Sequence, residues 1–225
     1  MNPLICARCG AYSGAPEVDP AAGVLNCRAC GHREPFLRLP LFALTGPSGT
    51  GKSTVARRLA GLLGGRVVVL EQDVLWIGAL RDGDPRAFRA VWLRMAAMIH
   101  QSGRAAVLCG TVAPEEFAPL PEHALFAGIH YLALTCASDV LAERLRGRPA
   151  WRAWDEPRIA ETVEYNDWLR ANAAHLDPPM RLADTTRSSI DATSAEVSAW
   201  VDAGLRTHFT EWPNAPHWND YSSGL

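Results

Sequence analysis

The segment GPSGTGKST, residues 46–54, constrains the fold of this chain more than any other stretch. It lies between an apolar run, LFALT (41–45), and a helix-forming run, KSTVARRLAGLLGG (52–65). Its fixed positions match G-x-x-x-x-G-K-[S/T], in which glycines let backbone N–H groups converge on an anion at a helix N-terminus. Lys52 is the only lysine among 22 basic residues, which favours a specific role for its ammonium group. The pattern predicts a polyphosphate site built from Gly46, Pro47, Ser48, Gly49, Thr50, Gly51, Lys52, Ser53 and Thr54.

Apolar strand patterns alternate with helical patterns from residue 41 onward. We predict strands at 41–45, 66–73, 105–111, 128–136 and 180–186, and helices at 52–65, 84–103, 138–148, 155–176 and 189–205. Nearly continuous apolar strands of this kind are typical of a parallel sheet covered on both faces. We therefore predict an α/β domain over residues 41–205, with a five-stranded parallel sheet sandwiched by helices. Such sheets bind ligands beyond the carboxyl ends of their strands.

Composition narrows the range of partners. The formal net charge is −2, so there is no overall basic excess, and nucleic acid is only weakly supported as a partner. The apolar runs have strand length and fall far short of the roughly 20 residues that span a bilayer. The N-terminal residues MNPLICARCG do not resemble a signal peptide. We expect a cytoplasmic protein without a membrane partner.

Two acids follow the second predicted strand, in VVVLEQD. The third predicted strand, in contrast, ends AVLCGT and carries no carboxylate. The acid-x-acid spacing places Glu71 and Asp73 near one sheet edge, one directed toward a metal and the other toward an acceptor. An ordinary helix cap is the alternative interpretation of Asp73.

These features resemble the small-molecule kinases of the nucleoside-monophosphate-kinase-like branch of P-loop NTPases, in the style of shikimate kinase, gluconate kinase and chloramphenicol phosphotransferase. The resemblance implies ATP as donor, Ser53 and Glu71 on the Mg²⁺ side, and Asp73 as the residue that meets the acceptor. It also implies that Gly110 and Thr111 line the acceptor pocket. This chain has CGT where shikimate kinase has a glycine triplet, so the acceptor stays open.

The segment ERLRGRPAWR concentrates arginines where related kinases carry a lid over the nucleotide. Gly147 and Pro149 interrupt the helix there. Guanidinium groups match the charge on a transferred phosphoryl group. Spacing places Arg144 and Arg148 on one helical face. Arg148 and Arg152 follow the break and are the catalytic candidates beside Lys52, while Arg144 is a nucleotide-binding candidate. A solvated basic helix end is the alternative.

Several other side chains are weaker candidates. Trp76, three residues after Asp73, is a candidate wall for the acceptor. In this branch the loop after the fifth strand contacts adenine, which would assign that contact to 184–186; an ordinary polar turn is the alternative. Cys109 and Cys136 lie in apolar stretches and are predicted to be reduced core residues.

Four cysteines form two C-x-x-C pairs near the N-terminus, each followed by glycine. This spacing predicts a zinc ribbon over residues 1–33 in which Cys6, Cys9, Cys27 and Cys30 hold a tetrahedral Zn²⁺. Disulfides are the alternative and do not suit a cytoplasmic chain. The ribbon could serve as a docking module for a protein partner, a substrate-side lid or a nucleic-acid reader. Residues 206–225 form a C-terminal tail with Trp212, Trp218 and Tyr221 as aromatic anchors; it either lies across the domain or is disordered.

The sequence thus favours a kinase that transfers phosphate from MgATP to a hydroxyl or phosphate group on a small molecule. Two other functions stay open. One is a nucleic-acid-linked ATPase or RNA-modifying kinase that grips its polynucleotide through the ribbon. The other is a nucleotide-sensing regulatory protein whose ribbon contacts a partner protein.

Overall fold

The computed structural model describes residues 2–75 and 83–211, with side chains of the last helix described through residue 208. Trp76 and the tail from residue 212 onward therefore lie outside the described residues, together with the predictions made for them. None of the helices in the described ranges has the length and apolarity that a bilayer crossing requires.

The N-terminal segment forms a small antiparallel sheet. Its strands are β1 (Glu17–Asp19), β2 (Val24–Asn26) and β3 (Arg33–Pro35), with β2 in the middle. The two C-x-x-C turns lie before β1 and after β2. Three strands of three residues each bury little surface of their own, so this unit depends on contacts with the rest of the chain or on a bound metal.

The main domain contains a five-stranded sheet. Its strands are β4 (Leu41–Thr45), β5 (Val67–Glu71), β6 (Ala105–Cys109), β7 (Ile129–Thr135) and β8 (Arg181–Asp184). The helices are α1 (Lys52–Leu62), α2 (Pro85–His100), α3 (Pro114–Phe117), α4 (Ser138–Arg146), α5 (Glu156–Asn172) and α6 (Ile190–Glu211).

All five strands of this sheet are parallel, in the order β5-β6-β4-β7-β8. This confirms the predicted fold. The chain leaves the central strand β4 toward one edge and later returns to build the other edge. Ligand sites of open α/β sheets form at such a reversal, beyond the carboxyl ends of the strands. Residues 46–51 follow β4 at that point.

Apolar cores form on both faces of the sheet. One face packs α1 and α6 through Leu59, Val197 and Val201. The opposite face packs α2 and α5 through Trp92, Leu93 and Leu169. Burial on both sides explains why β4 and β6 are apolar at almost every position.

Some element boundaries differ from the predicted ones. Strand β5 ends at Glu71, and Gln72–Leu75 form a 3₁₀ turn, so Asp73 lies after the strand rather than in it. The last helix continues to Glu211 instead of stopping at residue 205. Asp84 caps α2, since its carboxylate accepts a hydrogen bond from the N–H of Arg86 at 2.9 Å.

The small sheet is fixed to the end of the main sheet that lies farthest from residues 46–51. Leu25 and Phe36 belong to the same apolar core as α2. The backbone of Leu37 exchanges two hydrogen bonds of 3.0 Å with the side-chain amide of Gln101, just after α2. Arg38 donates to the carbonyl of Ala124, shortly before β7 begins. These contacts lie near the amino-terminal ends of β4 and β7, which argues against the ribbon as a substrate-side lid.

Candidate functional site

Two glycines of the loop that joins β4 to α1 have no room for a side chain. Gly46 has φ 120°, and a Cβ there would lie 2.3 Å from the carbonyl oxygen of Leu134. Gly49 has φ 93°, and its Cβ would lie 2.8 Å from Leu141 Cδ1. The loop thus packs directly on β7 and α4, and the sequence meets this close approach with glycine.

Lys52 begins α1 and turns its ammonium group back into the loop. Nζ donates to the carbonyl oxygens of Gly46 at 2.6 Å and Pro47 at 2.8 Å. Burial lowers the pKa of Lys52, Arg148 acts in the same direction, and Asp73 and Glu71 oppose the shift; the result is a pKa of about 8. A buried ammonium group that has only carbonyl partners gains an ionic partner when a phosphate enters the loop.

One pocket of about 180 Å³ opens above this loop. It gathers side chains and backbone from the carboxyl ends of β4, β5 and β6 and from the turn after α4. Its lining consists of Ser48, Gly49, Gly51, Lys52, Ser53, Thr54, Glu71, Gln72, Asp73, Cys109, Gly110, Thr111, Arg148 and Arg152. The structure therefore brings most of the predicted site residues together, although they are scattered over about a hundred positions of the chain.

Both acids of the VLEQD segment reach the pocket, in different environments. Glu71 closes β5, and its buried Oε1 atom has no hydrogen-bond partner among the described residues. Asp73 lies exposed in the 3₁₀ turn. An orphaned carboxylate oxygen beside a phosphate loop and the exposed Ser53 suits a hydrated divalent cation. Strand β6 pairs with β4, and the residue that it contributes to the pocket lining at its carboxyl end is Cys109 and not an acid.

Gln72 is a pocket residue that sequence reasoning missed. Its Oε1 atom accepts a hydrogen bond from the backbone N–H of Thr111 at 2.9 Å. The Thr111 hydroxyl in turn donates to the carbonyl of Gly46 at 3.1 Å. A Cβ at Gly110 would lie 2.1 Å from Gln72 Oε1 and 2.6 Å from the ring of Trp92. Gln72, which lies between the two acids, thus contacts Gly110 and Thr111 and completes the pocket wall that they form. Its position directly after a predicted strand is the sequence feature that could have identified it.

Cys109 combines the predicted core position with a place in the pocket lining. Both Cys109 and Cys136 are buried and unpaired, as predicted. Burial raises the pKa of Cys109 to about 12, although the nearby Lys52 ammonium group opposes the shift. The thiol is therefore protonated at neutral pH and forms a neutral wall beside Lys52.

Only two of the four clustered arginines line the pocket. Arg148 and Arg152 do so. Arg144 instead donates to the hydroxyl of Thr185 at 3.1 Å and to its carbonyl at 2.8 Å, so its guanidinium group holds the loop after β8. Arg146 forms a two-point ion pair with Glu156. Arg144 and Arg148 do not share a helical face, because α4 ends at Arg146 before the predicted boundary.

The loop after β8 is a tightly bonded polar turn. Asp184 accepts hydrogen bonds from both the backbone N–H and the hydroxyl of Thr186. The Thr186 hydroxyl also accepts from the N–H of Ala137 at 2.8 Å. Asp184, Thr186 and Ala137 border a second, open cavity with Arg170, Arg187 and Ser188. These contacts agree with the alternative of an ordinary polar turn at residues 184–186. A contact of this loop with adenine stays a prediction.

The four N-terminal cysteines lie together with unpaired thiols. The sulfurs of Cys6 and Cys30 are 3.8 Å apart, those of Cys9 and Cys27 are 3.7 Å apart, and all four lie within 4.8 Å of one another. Four sulfurs bound tetrahedrally at about 2.3 Å from one zinc would be about 3.8 Å apart. Each C-x-x-C turn closes when the N–H of the next glycine donates to the first cysteine, Gly10 to Cys6 and Gly31 to Cys27. The cluster can therefore hold a metal ion.

Solved structures share this architecture. A sugar kinase from Janibacter superposes with a TM-score of 0.51 at 17% identity, over 73% of this chain and 95% of that one. A putative kinase from Chloroflexus aurantiacus gives 0.49 at 23% identity, over 75% and 98%. A gluconokinase from Sinorhizobium meliloti gives 0.47 at 22% identity, over 80% and 99%. The superposition on the sugar kinase shows that this chain shares the fold of that protein.

Comparison at the sequence level identifies the family. No curated protein matches the chain. Residues 43–169, more than half of the chain, match the family model described as an AAA domain, and this stretch includes every residue that lines the pocket. The chain therefore belongs to this AAA domain family, with a phosphate loop and a kinase-like five-stranded sheet.

Proposed function

We propose that this protein is an ATP-dependent phosphotransferase that moves the γ-phosphate of MgATP to a hydroxyl or phosphate group of a small molecule. The observation that carries the proposal is the composition of one pocket. The phosphate loop, two carboxylates at the end of β5, and two arginines after α4 all line it. Its volume is about 180 Å³.

The loop side of the pocket receives the nucleotide in this proposal. Backbone N–H groups of residues 46–51 and the ammonium group of Lys52 bind the β- and γ-phosphates. Ser53 and Glu71 would hold Mg²⁺ or its waters, and the buried Oε1 atom of Glu71, which has no hydrogen-bond partner among the described residues, supports this assignment. Magnesium, when bound, neutralises charge on the phosphate oxygens.

The opposite side of the pocket carries out the transfer. Asp73 accepts the proton of the acceptor hydroxyl while the oxygen of that hydroxyl forms a bond to the γ-phosphorus. The bond between that phosphorus and the bridging oxygen breaks, and ADP leaves. Arg148 and Arg152 bind the phosphoryl oxygens, whose negative charge is spread in the transition state. Gln72, Gly110 and Thr111 form the wall against which the acceptor rests.

We propose a structural role for the cysteine cluster, with Zn²⁺ held by Cys6, Cys9, Cys27 and Cys30. Four thiolates fill a tetrahedral site, which leaves no open position for catalysis. The proposed units are a ribbon, predicted over 1–33 and extended to Pro35 by β3, and a catalytic domain from residue 41 through α6, which ends at Glu211. The tail predicted over 206–225 therefore begins inside that helix. Two exposed arginines of the ribbon are paired with acids, Arg28 with Glu17 at 2.6 Å and Arg33 with Asp19 at 3.0 Å. Together with the formal net charge of −2, these pairs favour a small-molecule acceptor over a polynucleotide.

Incubation with MgATP and a cell metabolite extract, followed by mass spectrometry of the small molecules, tests the proposal. We expect one class of metabolite to gain a phosphate with the wild-type protein and not with Lys52→Ala. The matched control is Arg57→Ala, which removes an exposed cation from the same helix. ADP and free phosphate without a phosphorylated metabolite would contradict the proposal and indicate an ATPase. Unchanged ATP would indicate a nucleotide-sensing protein.

A further inference from the structure

The turn between α4 and α5 carries the two pocket arginines and contains one residue, Ala153, with an unusual backbone conformation. Ala153 has φ 50° and ψ 52°, which lies in the left-handed region that residues other than glycine seldom occupy. Arg158, in the first turns of α5, donates from Nη1 to the carbonyl oxygens of Arg152 at 3.1 Å and Ala153 at 3.3 Å. Asp155 caps α5 by accepting from the N–H of Arg158 at 3.0 Å. The backbone of Arg152 is thus held from outside the pocket, while its guanidinium carbon lies 4.6 Å from the centre of the neighbouring Trp151 ring.

Trp154 fixes the second arginine of the pocket. The guanidinium carbon of Arg148 lies 5.6 Å from the centre of the Trp154 ring, and that of Arg158 lies 4.1 Å from it. We call this arrangement the Arg148–Trp154–Arg158 stack. The Trp154 ring packs against the small core of Leu141, Leu145 and Ile159, so it is anchored to both helices. Neither Trp154 nor Arg158 lines the pocket.

The stack keeps like charges close together. Burial lowers the pKa of Arg148, and the positive charges of Arg152 and Arg158 lower it further, while Asp73 across the pocket opposes the shift. Three guanidinium groups without a shared anion repel one another. The face of an aromatic ring attracts a cation, which offsets part of this repulsion. The aromatic ring therefore helps to hold Arg148 beside Arg152 before a polyphosphate arrives.

We propose that Trp154 and Arg158 are positioning residues that set Arg148 and Arg152 toward the phosphate, although neither contacts the reactants. This inference rests on the proposed function of the two pocket arginines. It assigns the lid arginines a fixed arrangement in the free protein: Trp154 holds the side chain of Arg148, and Arg158 holds the backbone that carries Arg152.

The test compares Trp154→Leu with Trp154→Phe. Leucine fills part of the space without an aromatic face, whereas phenylalanine keeps one. We expect kcat for phosphate transfer from MgATP to the metabolite extract to fall about tenfold in Trp154→Leu and to recover to within about threefold of wild type in Trp154→Phe. KM for MgATP should change by less than about threefold in both variants, because the loop and Lys52 are untouched. Trp168→Leu, a partly exposed tryptophan of α5 outside the pocket, is the control.

A second readout needs nucleotide binding but no acceptor. Phenylglyoxal modifies accessible guanidinium groups, and peptide mapping locates the modified arginines. In the wild type and in Trp154→Phe, MgATP should protect Arg148 and Arg152 from modification by phenylglyoxal. In Trp154→Leu, most of the protection of Arg148 should be lost. If the wild type forms no phosphorylated metabolite, the proposed function fails, while this map still decides whether Trp154 positions Arg148.

Wild-type kcat and wild-type protection in Trp154→Leu would overturn the inference. So would a failure of Trp154→Phe to recover activity, because it would indicate a role of the tryptophan in packing alone. If circular dichroism shows that Trp154→Leu does not fold, Arg158→Gln replaces it, since this change removes the charge and shortens the reach toward the two backbone carbonyls. We expect a loss of kcat and of Arg152 protection in that variant, and wild-type values would overturn the inference.

Discussion

The Gln72 side chain accepts a hydrogen bond from the backbone N–H of Thr111 at 2.9 Å and thereby joins the ends of β5 and β6 across the pocket. The bond leaves no space beside Gly110, whose Cβ would meet Gln72 Oε1 at 2.1 Å. Contact between a glutamine and a glycine therefore sets this wall of the pocket, which we propose as the acceptor side.

Gly110→Ala should lower phosphate transfer and leave nucleotide binding nearly intact. The added methyl group displaces Gln72 and removes the hydrogen bond that Gln72 accepts from the Thr111 N–H, and a typical intramolecular hydrogen bond contributes about 0.5–1.5 kcal/mol. We expect transfer to fall at least about tenfold, with the Kd for MgATP within about threefold of wild type. Isothermal titration calorimetry and the metabolite assay measure the two quantities.

Gly128→Ala provides the matched control for that variant. A Cβ at Gly128 has no atom within 4 Å and the residue has no positive φ, so alanine fits there. Equal activity of Gly110→Ala and Gly128→Ala would show that the Gln72–Gly110 contact does not shape the site.

Asp73 and Glu71 should differ in what their loss removes. Asp73→Asn should cut transfer by about 10²- to 10⁴-fold, the usual contribution of a general base, with MgATP affinity almost unchanged. Glu71→Gln should weaken Mg²⁺-dependent nucleotide binding, because its buried carboxylate oxygen is proposed to face the cation. Titrations of nucleotide with and without Mg²⁺ separate the two roles, and a purely nucleotide-binding defect in Asp73→Asn would place that acid on the metal side.

Nucleotide affinity should decline as pH rises above about 8, the value to which burial lowers the pKa of Lys52. Bound phosphate stabilises the ammonium form, so the pKa of Lys52 is higher in the complex than in the free protein. Between the two values the complex holds more protons, and the association constant falls by up to about tenfold per pH unit. Lys52→Arg keeps its charge over this range and should bind with an affinity that does not vary with pH above 8; a flat profile in the wild type would refute the assignment.

Removal of metal from the cysteine cluster should destabilise the main domain as well as the ribbon. Leu25 and Phe36 lie in the same core as α2, so loosening the ribbon opens that core. We expect a chelator or Cys9→Ser to lower Tm by at least about 5 °C in a single transition, since 1 kcal/mol moves Tm by about 2–4 °C at this size. Ser13→Ala, a ribbon change outside the cluster, is the control. A separate early transition that leaves the main one in place would contradict shared stability.

Local patterns were enough to predict the sheet and the loop. The run LFALT forms the strand, and the glycines and Lys52 that follow it form the predicted anion site, because the turn geometry allows few other residues. The paired C-x-x-C turns likewise predicted a cluster whose sulfurs do converge. In both cases neighbouring residues define the geometry.

Contacts between distant residues could not be predicted in this way. Spacing placed Arg144 and Arg148 on one helical face, but α4 ends at Arg146. The Arg144 guanidinium group instead binds Thr185, about forty residues later. Gln72 gained its role from Thr111, and Trp154 from two arginines on either side of it. Each of these roles depends on how elements pack, which single-sequence periodicity does not specify.

The most direct measurement follows the γ-phosphate itself. ATP carrying ¹⁸O in its terminal phosphate is incubated with the protein, Mg²⁺ and a metabolite extract, and mass spectrometry locates the heavy oxygens. The account predicts that they appear in a phosphorylated small molecule, that Asp73→Asn strongly reduces this product, and that Lys52→Ala abolishes it. Heavy oxygens found only in inorganic phosphate, at equal rates in the wild type and Asp73→Asn, would show that the pocket hydrolyses ATP and has no acceptor side.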